Sequence, residues 1–359
     1  MLEGKGIYIW QVHQCEGGDP KRITQRALEA GLTHVLVKIA DGSRAYNSAT
    51  AAPVIDALKQ AGIQAWGWQY VYGLDPFGEA SIAARRSNEL EVDGFIVNAE
   101  VEYYGRYSQA TAYMDSLRAR VGNLPLALSS FRFPDYHRQL PWTEFLSKCD
   151  FNMPQVYWVR SDNPPEQLDR SVNQFSRIYP VLPIIPTGSA YAEHGWRASG
   201  SEVRRFLDHA RKTNIPAANF WSWDYAGGPS GRDLWDAIAG FDWPVAKASA
   251  DLGERWLNAL QQRDWDKLVQ LYHPAALLLS PRGSQRGAPA VRRYYEDLLN
   301  VTLPSAQVQI DTRVTQNETR LIVWRAFDPS TGKAVPRGVD TFVVRDGQIL
   351  YQNTQYEIV

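Results

Sequence analysis

The chain has 359 residues, a formal net charge of −1 and a hydrophobic fraction of 44%. This length is too great for one ordinary domain and suits two. The balanced charge gives no support for a nucleic-acid partner, and no apolar run approaches the ~18 residues of a membrane helix. Cys15 and Cys149 lack the spacing of a zinc site or a disulfide framework, and Met1–Lys5 shows no secretory pattern. We therefore expect a soluble cytoplasmic protein, or a secreted one if a signal peptide has been removed.

The first 240 residues alternate short apolar or aromatic runs with amphipathic stretches. The runs are residues 6–12, 33–42, 65–73, 94–103, 125–131, 151–158, 181–191 and 219–228. The stretches between them end at residues typical of helix C-caps, such as Gly31, Gly62 and Asn214. Eight such units predict a TIM (β/α)8 barrel over residues 1–245. A doubly wound open sheet fits less well, because no Gly-rich phosphate loop follows the first strand.

The pattern changes after Trp243–Ala250, a segment with Pro and small residues that we interpret as the domain boundary. Residues 250–273 have the apolar spacing of two helices, and residues 280–300 that of a turn and a third helix. Four strand-like runs follow from residue 306 onward, with a hairpin turn predicted at RDGQ, residues 345–348. Helices followed by a series of strands predict an α+β domain over residues 251–359.

The fourth run carries the residues that point most clearly to chemistry. Asn98, Glu100 and Glu102 are spaced by two, so in a strand they would share one face at the barrel mouth. Glycoside hydrolysis needs a protonated carboxyl group and a second group opposite it. Glu100, the deeper of the two acids, is the candidate general acid, because a deeper carboxyl has the better prospect of a raised pKa.

Other strand ends add polar and aromatic side chains that suit a sugar, whose hydroxyls need partners and whose C–H face stacks on rings. The candidates for substrate binding are Asn98, Asp41, Gln69, Tyr72, Gln155, Tyr157, Trp158 and Trp223. The sequence contains no HExxH zinc motif and no Gly-rich phosphate loop. We therefore expect no metal and no cofactor.

The fourth run also resembles a known motif. DGFIVNAE, residues 93–100, is similar to the D-x-x-D-x-D-x-E motif of glycoside hydrolase family 18 chitinases, with Asp93 and Glu100 in register. NMPQVYW and FWSWD resemble the strand-6 and strand-8 motifs of that family. Ile96 and Asn98 replace the two inner acids. The resemblance implies a general-acid role for Glu100, and Asn98 could still donate a hydrogen bond to an acetamido group.

The barrel also resembles family 25 lysozymes. GIYIWQ, VKIADGSRAYN and VNAE are similar to three segments of that family, with Tyr8 and Asn98 in place of two of its acids. Only Glu100 is retained in both comparisons. Glu102 or Asp224 is left to serve as the second catalytic carboxylate.

The C-terminal region resembles SnoaL-like domains of the nuclear-transport-factor-2-like superfamily. The similarity lies in residues 256–283, in the helix APAVRRYYEDLL and in residues 338–358. Such domains form a cone with a pocket between helices and a curved sheet. The candidate pocket residues are Tyr272, His273, Trp324, Asp340 and Tyr356.

Two functions remain open at this point. The first is a glycoside hydrolase acting on a β-linked polysaccharide, N-acetylated or not, with Glu100 as the acid. The alternative is an inactive barrel that binds a carbohydrate or another small ligand. In that case the C-terminal domain would serve dimerisation or bind a small ligand of its own. The expected partners are a carbohydrate or small molecule and a second copy of the chain, with no nucleic acid and no membrane.

Overall fold

The computed structural model describes residues 2–243, 252–316, 319–345 and 348–359. Contacts between Cα atoms divide the chain into two units, Met1–Val245 and Ala246–Val359. The boundary segment expected at Trp243–Ala250 lies outside the described residues from position 244 onward. The two units are described separately below.

The N-terminal unit is a closed barrel of eight parallel strands. They are β1 Gly4–Ile9, β2 His34–Asp41, β3 Gln64–Val71, β4 Gly94–Ala99, β5 Leu126–Phe131, β6 Phe151–Val156, β7 Thr187–Ser189 and β8 Ala217–Trp221. Strand β1 closes the ring, because Gly6 is paired with His34 on β2 and with Asn219 on β8. The predicted barrel is confirmed, and the open-sheet alternative is wrong.

Helices follow the strands around the outside of the ring. They are α1 Pro20–Glu29, α2 Ala51–Gln60, α3 Pro76–Glu89, α4 Tyr107–Val121, α5 Trp142–Leu146, α6 Pro164–Phe175, α7 Gly200–Lys212, α8 Trp223–Ala226 and α9 Arg232–Ala239. Asp19 caps α1, its side chain accepting from the Lys21 amide at 2.9 Å. Gly31 and Gly62, just past α1 and α2, have φ of 62° and 78°, which explains glycine at these helix ends.

The pleat of the strands sorts their side chains into two buried layers. Inward residues such as Tyr8, Trp66, Trp68 and Met153 fill the lumen, and outward residues such as Val97 pack against the helices. Because successive side chains alternate, a shift of one residue moves a side chain from the lumen to the helix layer. This alternation decides which strand-end residues reach the mouth.

Several runs are shorter as strands than the sequence suggests; of the run 219–228, for example, only residues 219–221 belong to β8. β4 stops at Ala99, and Val101–Tyr103 form a 3-10 turn, so Glu100 and Glu102 follow the strand rather than extend it. The run 181–191 contributes only β7, Thr187–Ser189. Pro183 and Pro186 within that run have no N–H to donate to a neighbouring strand.

The C-terminal unit is an α+β domain with helices α10 Leu252–Gln262, α11 Trp265–Gln270 and α12 Ala288–Asp297. Its strands are β9 Tyr272–Ser280, β10 Gly283–Arg286, β11 Gln307–Gln316, β12 Thr319–Phe327, β13 Ala334–Arg345 and β14 Gln348–Tyr356. They form one sheet in the order β10-β9-β14-β13-β12-β11. The three helices and the four later strands are confirmed. The hairpin β9–β10 was not predicted, and residues 346 and 347 of the RDGQ turn lie outside the described part of the chain.

Candidate functional site

A cavity of about 810 Å³ opens at the carboxyl ends of the barrel strands. This is the end at which TIM-barrel enzymes carry their active sites. Seven of the predicted site residues line the cavity: Glu100, Glu102, Asn98, Asp41, Tyr72, Gln155 and Tyr157. The cavity is large enough for a ligand of several rings, since ligand pockets commonly measure about 300–1,000 Å³.

Glu100 is the most deeply placed acid of the cavity. The Gln155 side-chain nitrogen donates to its Oε1 at 2.9 Å. The Asn98 amide, turned so that its nitrogen donates, lies 3.2 Å from the same oxygen and 3.1 Å from the Ser129 carbonyl. Burial raises the pKa of Glu100, the two hydrogen bonds oppose that rise, and the charge of Glu102 adds to it. A carboxyl group in this setting retains its proton to higher pH than an exposed one.

Glu102 is held by a neighbouring tyrosine on the same wall of the cavity. The Tyr70 hydroxyl donates to its Oε2 at 2.6 Å. Burial raises the pKa of Tyr70, and the hydrogen bond to Glu102 raises it further, so the phenol stays protonated and remains a donor. The cavity thus contains one acid whose pKa is raised by burial and a second acid that accepts a tyrosine hydroxyl.

A lysine–aspartate pair lies across the mouth at β2. The Lys38 Nζ is 3.1 Å from the Asp41 carboxylate, and the Tyr72 hydroxyl donates to the same oxygen at 3.3 Å. Aromatic rings surround the ammonium, with Tyr46 and Trp68 centroids at 4.5 and 4.9 Å. Burial lowers the pKa of Lys38, and the nearby charge of Asp41 opposes that shift. The pair supplies both a donor and an acceptor for ligand hydroxyls.

Aromatic side chains form much of the cavity wall. The Trp10 indole is 42% exposed and lies 6.3 Å from the Trp221 ring. On the other side the Tyr157 and Tyr191 rings meet edge to face at 5.3 Å. Exposed indole faces beside hydrogen-bonding groups are suited to a ligand that has both flat apolar faces and hydroxyls.

Four predicted site residues do not line the cavity. Gln69 and Trp158 point outward because the pleat alternates, their neighbours Tyr70 and Tyr157 taking the inward positions. Gln69 donates to the Gly42 carbonyl at 2.7 Å, and Trp158 packs against Phe206 with ring centroids 5.2 Å apart. Both side chains pack in the helix layer and not in the cavity, so their predicted role in substrate binding is wrong.

The remaining two, Trp223 and Asp224, belong to helix α8 rather than to a strand. The Trp223 indole donates to Glu16 Oε2 at 2.7 Å, and its ring lies 4.7 Å from that of Trp235. Both oxygens of Asp224 accept backbone amides, from Trp10 at 2.8 Å and from Gln11 at 2.6 Å. Asp224 therefore fixes the loop that presents Trp10 to the cavity.

Several residues of the cavity were not among the predicted site residues. Among them are Trp10, Lys38, Tyr46, Trp68, Tyr70, Arg132, His137, Tyr191, Glu193 and Trp221. Arg132 was detectable in principle, because it directly follows the fifth run. Tyr46 and His137 lie in loops and are brought to the mouth by the fold alone.

The candidate residues of the C-terminal unit form a buried hydrogen-bond network. Asp340 accepts from Trp324 Nε1 and from Gln352 Nε2, each at 2.5 Å, and Tyr272 donates to Gln352 Oε1 at 2.5 Å. Tyr356 shares a hydrogen bond of 2.7 Å with Tyr294. Trp324, Asp340 and Tyr356 line a cavity of only about 20 Å³, and Tyr272 lies outside its lining. This space is about that of one water molecule.

His273 is not part of this network. It lies in strand β9 rather than at a helix end, and its Nδ1 accepts the Ala275 amide at 3.1 Å. Within the described ranges, no group of three His, Cys, Asp or Glu side chains is placed to hold a metal ion. No helix of the described residues is both long and apolar enough to cross a bilayer.

Comparison with known proteins identifies the C-terminal unit. Residues 254–352 match the model of the SnoaL-like domain family. Comparison with curated proteins gives no match.

Three similar solved structures each cover about 30% of the chain. A candidate polyketide cyclase from Sinorhizobium meliloti is 18% identical over 29% of this chain and 94% of its own, with a TM-score of 0.27. A protein of unknown function with a cystatin-like fold from Methylobium petroleophilum is 19% identical over 30% of this chain and 75% of its own, with a TM-score of 0.28. An NTF2-like protein of unknown function from Cytophaga hutchinsonii is 13% identical over 30% of this chain and 89% of its own, with a TM-score of 0.26. The resemblance of the barrel to glycoside hydrolases stays a prediction. The chain joins a closed eight-stranded parallel barrel to a SnoaL-like α+β domain at residues 254–352.

Proposed function

We propose that the barrel is a glycoside hydrolase that acts on a β-linked, N-acetylated polysaccharide, with Glu100 as the general acid. The observation that carries this proposal is the environment of Glu100. Its carboxyl group is half-buried in an aromatic-lined cavity, and burial raises its pKa. A protonated carboxyl at neutral pH is what protonation of a glycosidic oxygen requires.

The neighbouring groups supply the rest of the chemistry. Glu100 donates its proton to the leaving oxygen as the bond to the anomeric carbon breaks. A water molecule then bonds to that carbon and gives a proton to the Glu100 carboxylate, which restores the acid. Glu102, which accepts the Tyr70 hydroxyl, stabilises the positive charge that develops on the sugar ring. Asn98 and Gln155 orient the Glu100 carboxyl, and Asn98 offers an amide to an acetamido substituent. Trp10 and Trp221 give the sugar rings faces on which to stack.

One observation favours the alternative of a barrel that binds sugar without cleaving it. Both oxygens of Asp224 are used by backbone amides, so of the two candidates for the second carboxylate only Glu102 lines the cavity. If Glu102 lies too far from the anomeric carbon, the same cleft would bind a glycan and leave it intact. Turnover and binding must therefore be measured separately.

The test is the variant Glu100→Gln, assayed with chitohexaose for cleavage by chromatography and for affinity by calorimetry. Loss of a general acid should reduce turnover by about 100-fold or more. Affinity should stay within about threefold, because the amide keeps the shape of the carboxyl group. Glu166→Gln, on an exposed position of α6, is the matched control and should behave as wild type.

The outcomes separate the two functions. Tight binding by the wild-type protein without any cleavage would favour the inactive sugar-binding barrel. Cleavage that persists in Glu100→Gln would remove Glu100 from the mechanism. If the wild-type protein neither binds nor cleaves the hexamer, the carbohydrate proposal is wrong for N-acetylated chains of this kind.

A further inference from the structure

Arg132 is a cation of the cavity for which the described part of the chain supplies no ion-pair partner. It directly follows β5, its side chain is half-buried, and it lines the cavity on the side opposite the Lys38–Asp41 pair in strand order. Its Nη1 is shielded from solvent and has no hydrogen-bond partner. Among the residues that the structure describes, no carboxylate forms an ion pair with it. By contrast, the cavity's lysine, Lys38, is paired with Asp41 at 3.1 Å.

The surroundings of Arg132 do not neutralise its charge. Its guanidinium lies 4.9 Å from the Phe133 ring centroid, and the nearby Tyr136 and Tyr191 are neutral phenols. Arg170, stacked on Phe133 at 4.2 Å, adds a second positive charge. Burial lowers the pKa of Arg132, and the charge of Arg170 lowers it further. A half-buried guanidinium without a carboxylate partner destabilises a folded protein, so its presence in a cavity points to an external anion.

This cation lies in the same site as the proposed acid. The charge of Glu100 raises the pKa of Tyr191 and the charge of Arg132 lowers it, so both groups lie near that tyrosine in the cavity. His137, also in the cavity, has its pKa lowered by burial and by the charge of Arg132, so it is neutral and does not compete for an anion. The acids of the cavity, among them Glu102 and Glu193, would repel an anion placed elsewhere.

We propose that Arg132 binds the carboxylate of an acidic sugar, so that the substrate is a β-linked glycan with carboxylate groups along the chain. The inference rests on the proposed function and specifies its substrate class. A planar guanidinium matches a carboxylate through two parallel hydrogen bonds, and the half-buried guanidinium of Arg132 belongs to the cavity lining. Repulsion from the acids and attraction to Arg132 together fix the register of the chain in the cleft.

The experiment compares a hyaluronan hexasaccharide with its carboxyl methyl ester, which removes the charges and keeps the chain. Affinities are measured by calorimetry at constant ionic strength for the full chain carrying Glu100→Gln, with or without Arg132→Gln. The Glu100→Gln protein, the parent in this comparison, should bind the unesterified hexasaccharide (the acid) at least about tenfold more tightly than its methyl ester. Arg132→Gln should abolish this preference and bind the ester as the parent does. Arg138→Gln, an exposed arginine of the same loop, should leave it intact.

Thermal unfolding supplies an independent readout. Because Arg132 has no partner in the empty protein, Arg132→Gln should leave the melting temperature unchanged or raise it. A lower melting temperature together with equal loss of both ligands would mean that Arg132 only maintains the structure, and would overturn the proposal. Equal affinity of the parent for acid and ester would also overturn it, even if chitohexaose is cleaved and the proposed function stands. If the parent binds none of the three oligosaccharides, both proposals fail together.

Discussion

Asp340 gives the C-terminal unit a pH-dependent stability whose size follows from its surroundings. The side chain is fully buried, and Trp324 and Gln352 donate to its two oxygens at 2.5 Å each. Burial raises its pKa from 3.8 to about 6, and the hydrogen bonds oppose only part of that rise. The folded protein therefore binds this proton more tightly than the unfolded chain does.

The direction of the effect follows from that difference. The contribution of Asp340 to stability is greatest below pH 3.8, where both states are protonated, and falls as the pH rises toward 6. Above pH 6 the folded unit contains a buried charge. The difference between 3.8 and about 6 corresponds to about 3 kcal/mol of unfolding free energy.

The variant Asp340→Asn isolates this contribution, since an amide does not ionise. At pH 4 it should be less stable than the wild type by about 1–3 kcal/mol, because its NH2 group must face a donor. This deficit should shrink or reverse as the pH rises past 6, because only the wild type then acquires a buried charge. The assay is hydrogen exchange of peptides from β13, residues 334–345, between pH 4 and 7.5. Asp311→Asn, on an exposed position of the same sheet, is the control. The reasoning is refuted if the difference between wild type and Asp340→Asn changes by less than about 1 kcal/mol over this range.

Two further variants test the barrel mouth. Trp10→Ala removes the exposed indole of the cavity. The variant should bind chitohexaose about tenfold more weakly and keep the wild-type melting temperature. Unchanged affinity would exclude stacking of the sugar on this ring. Asp224→Ala leaves the Trp10 and Gln11 amides without acceptors and should destabilise the protein by about 2–4 kcal/mol in urea unfolding. If Asp224→Ala instead retains full stability and loses turnover alone, Asp224 acts on the substrate and not on the loop.

The sequence by itself determined the barrel and the α+β domain, because both follow from local patterns. Strand-like runs alternate with helical stretches that end at glycines such as Gly31 and Gly62. This alternation predicts parallel strands, and eight such units predict a closed barrel of eight strands. The sequence also placed Glu100 and Glu102 at the mouth, since strand ends of a parallel barrel share one edge. It did not predict the hairpin β9–β10, because the apolar residues 275–279 give no period that distinguishes a strand from a helix.

Only the tertiary structure decided which strand-end residues reach the cavity. Tyr157 and Trp158 are adjacent and equally aromatic, and the phase of the pleat sends one to the mouth and the other to the helix layer. Asp224 resembles a catalytic carboxylate in sequence, but both of its oxygens accept hydrogen bonds from backbone amides of a loop more than 200 residues away. Arg132 differs from the other arginines in its surroundings: among the described residues, none forms a hydrogen bond with its Nη1. This property depends on three-dimensional contacts and cannot be predicted from the sequence.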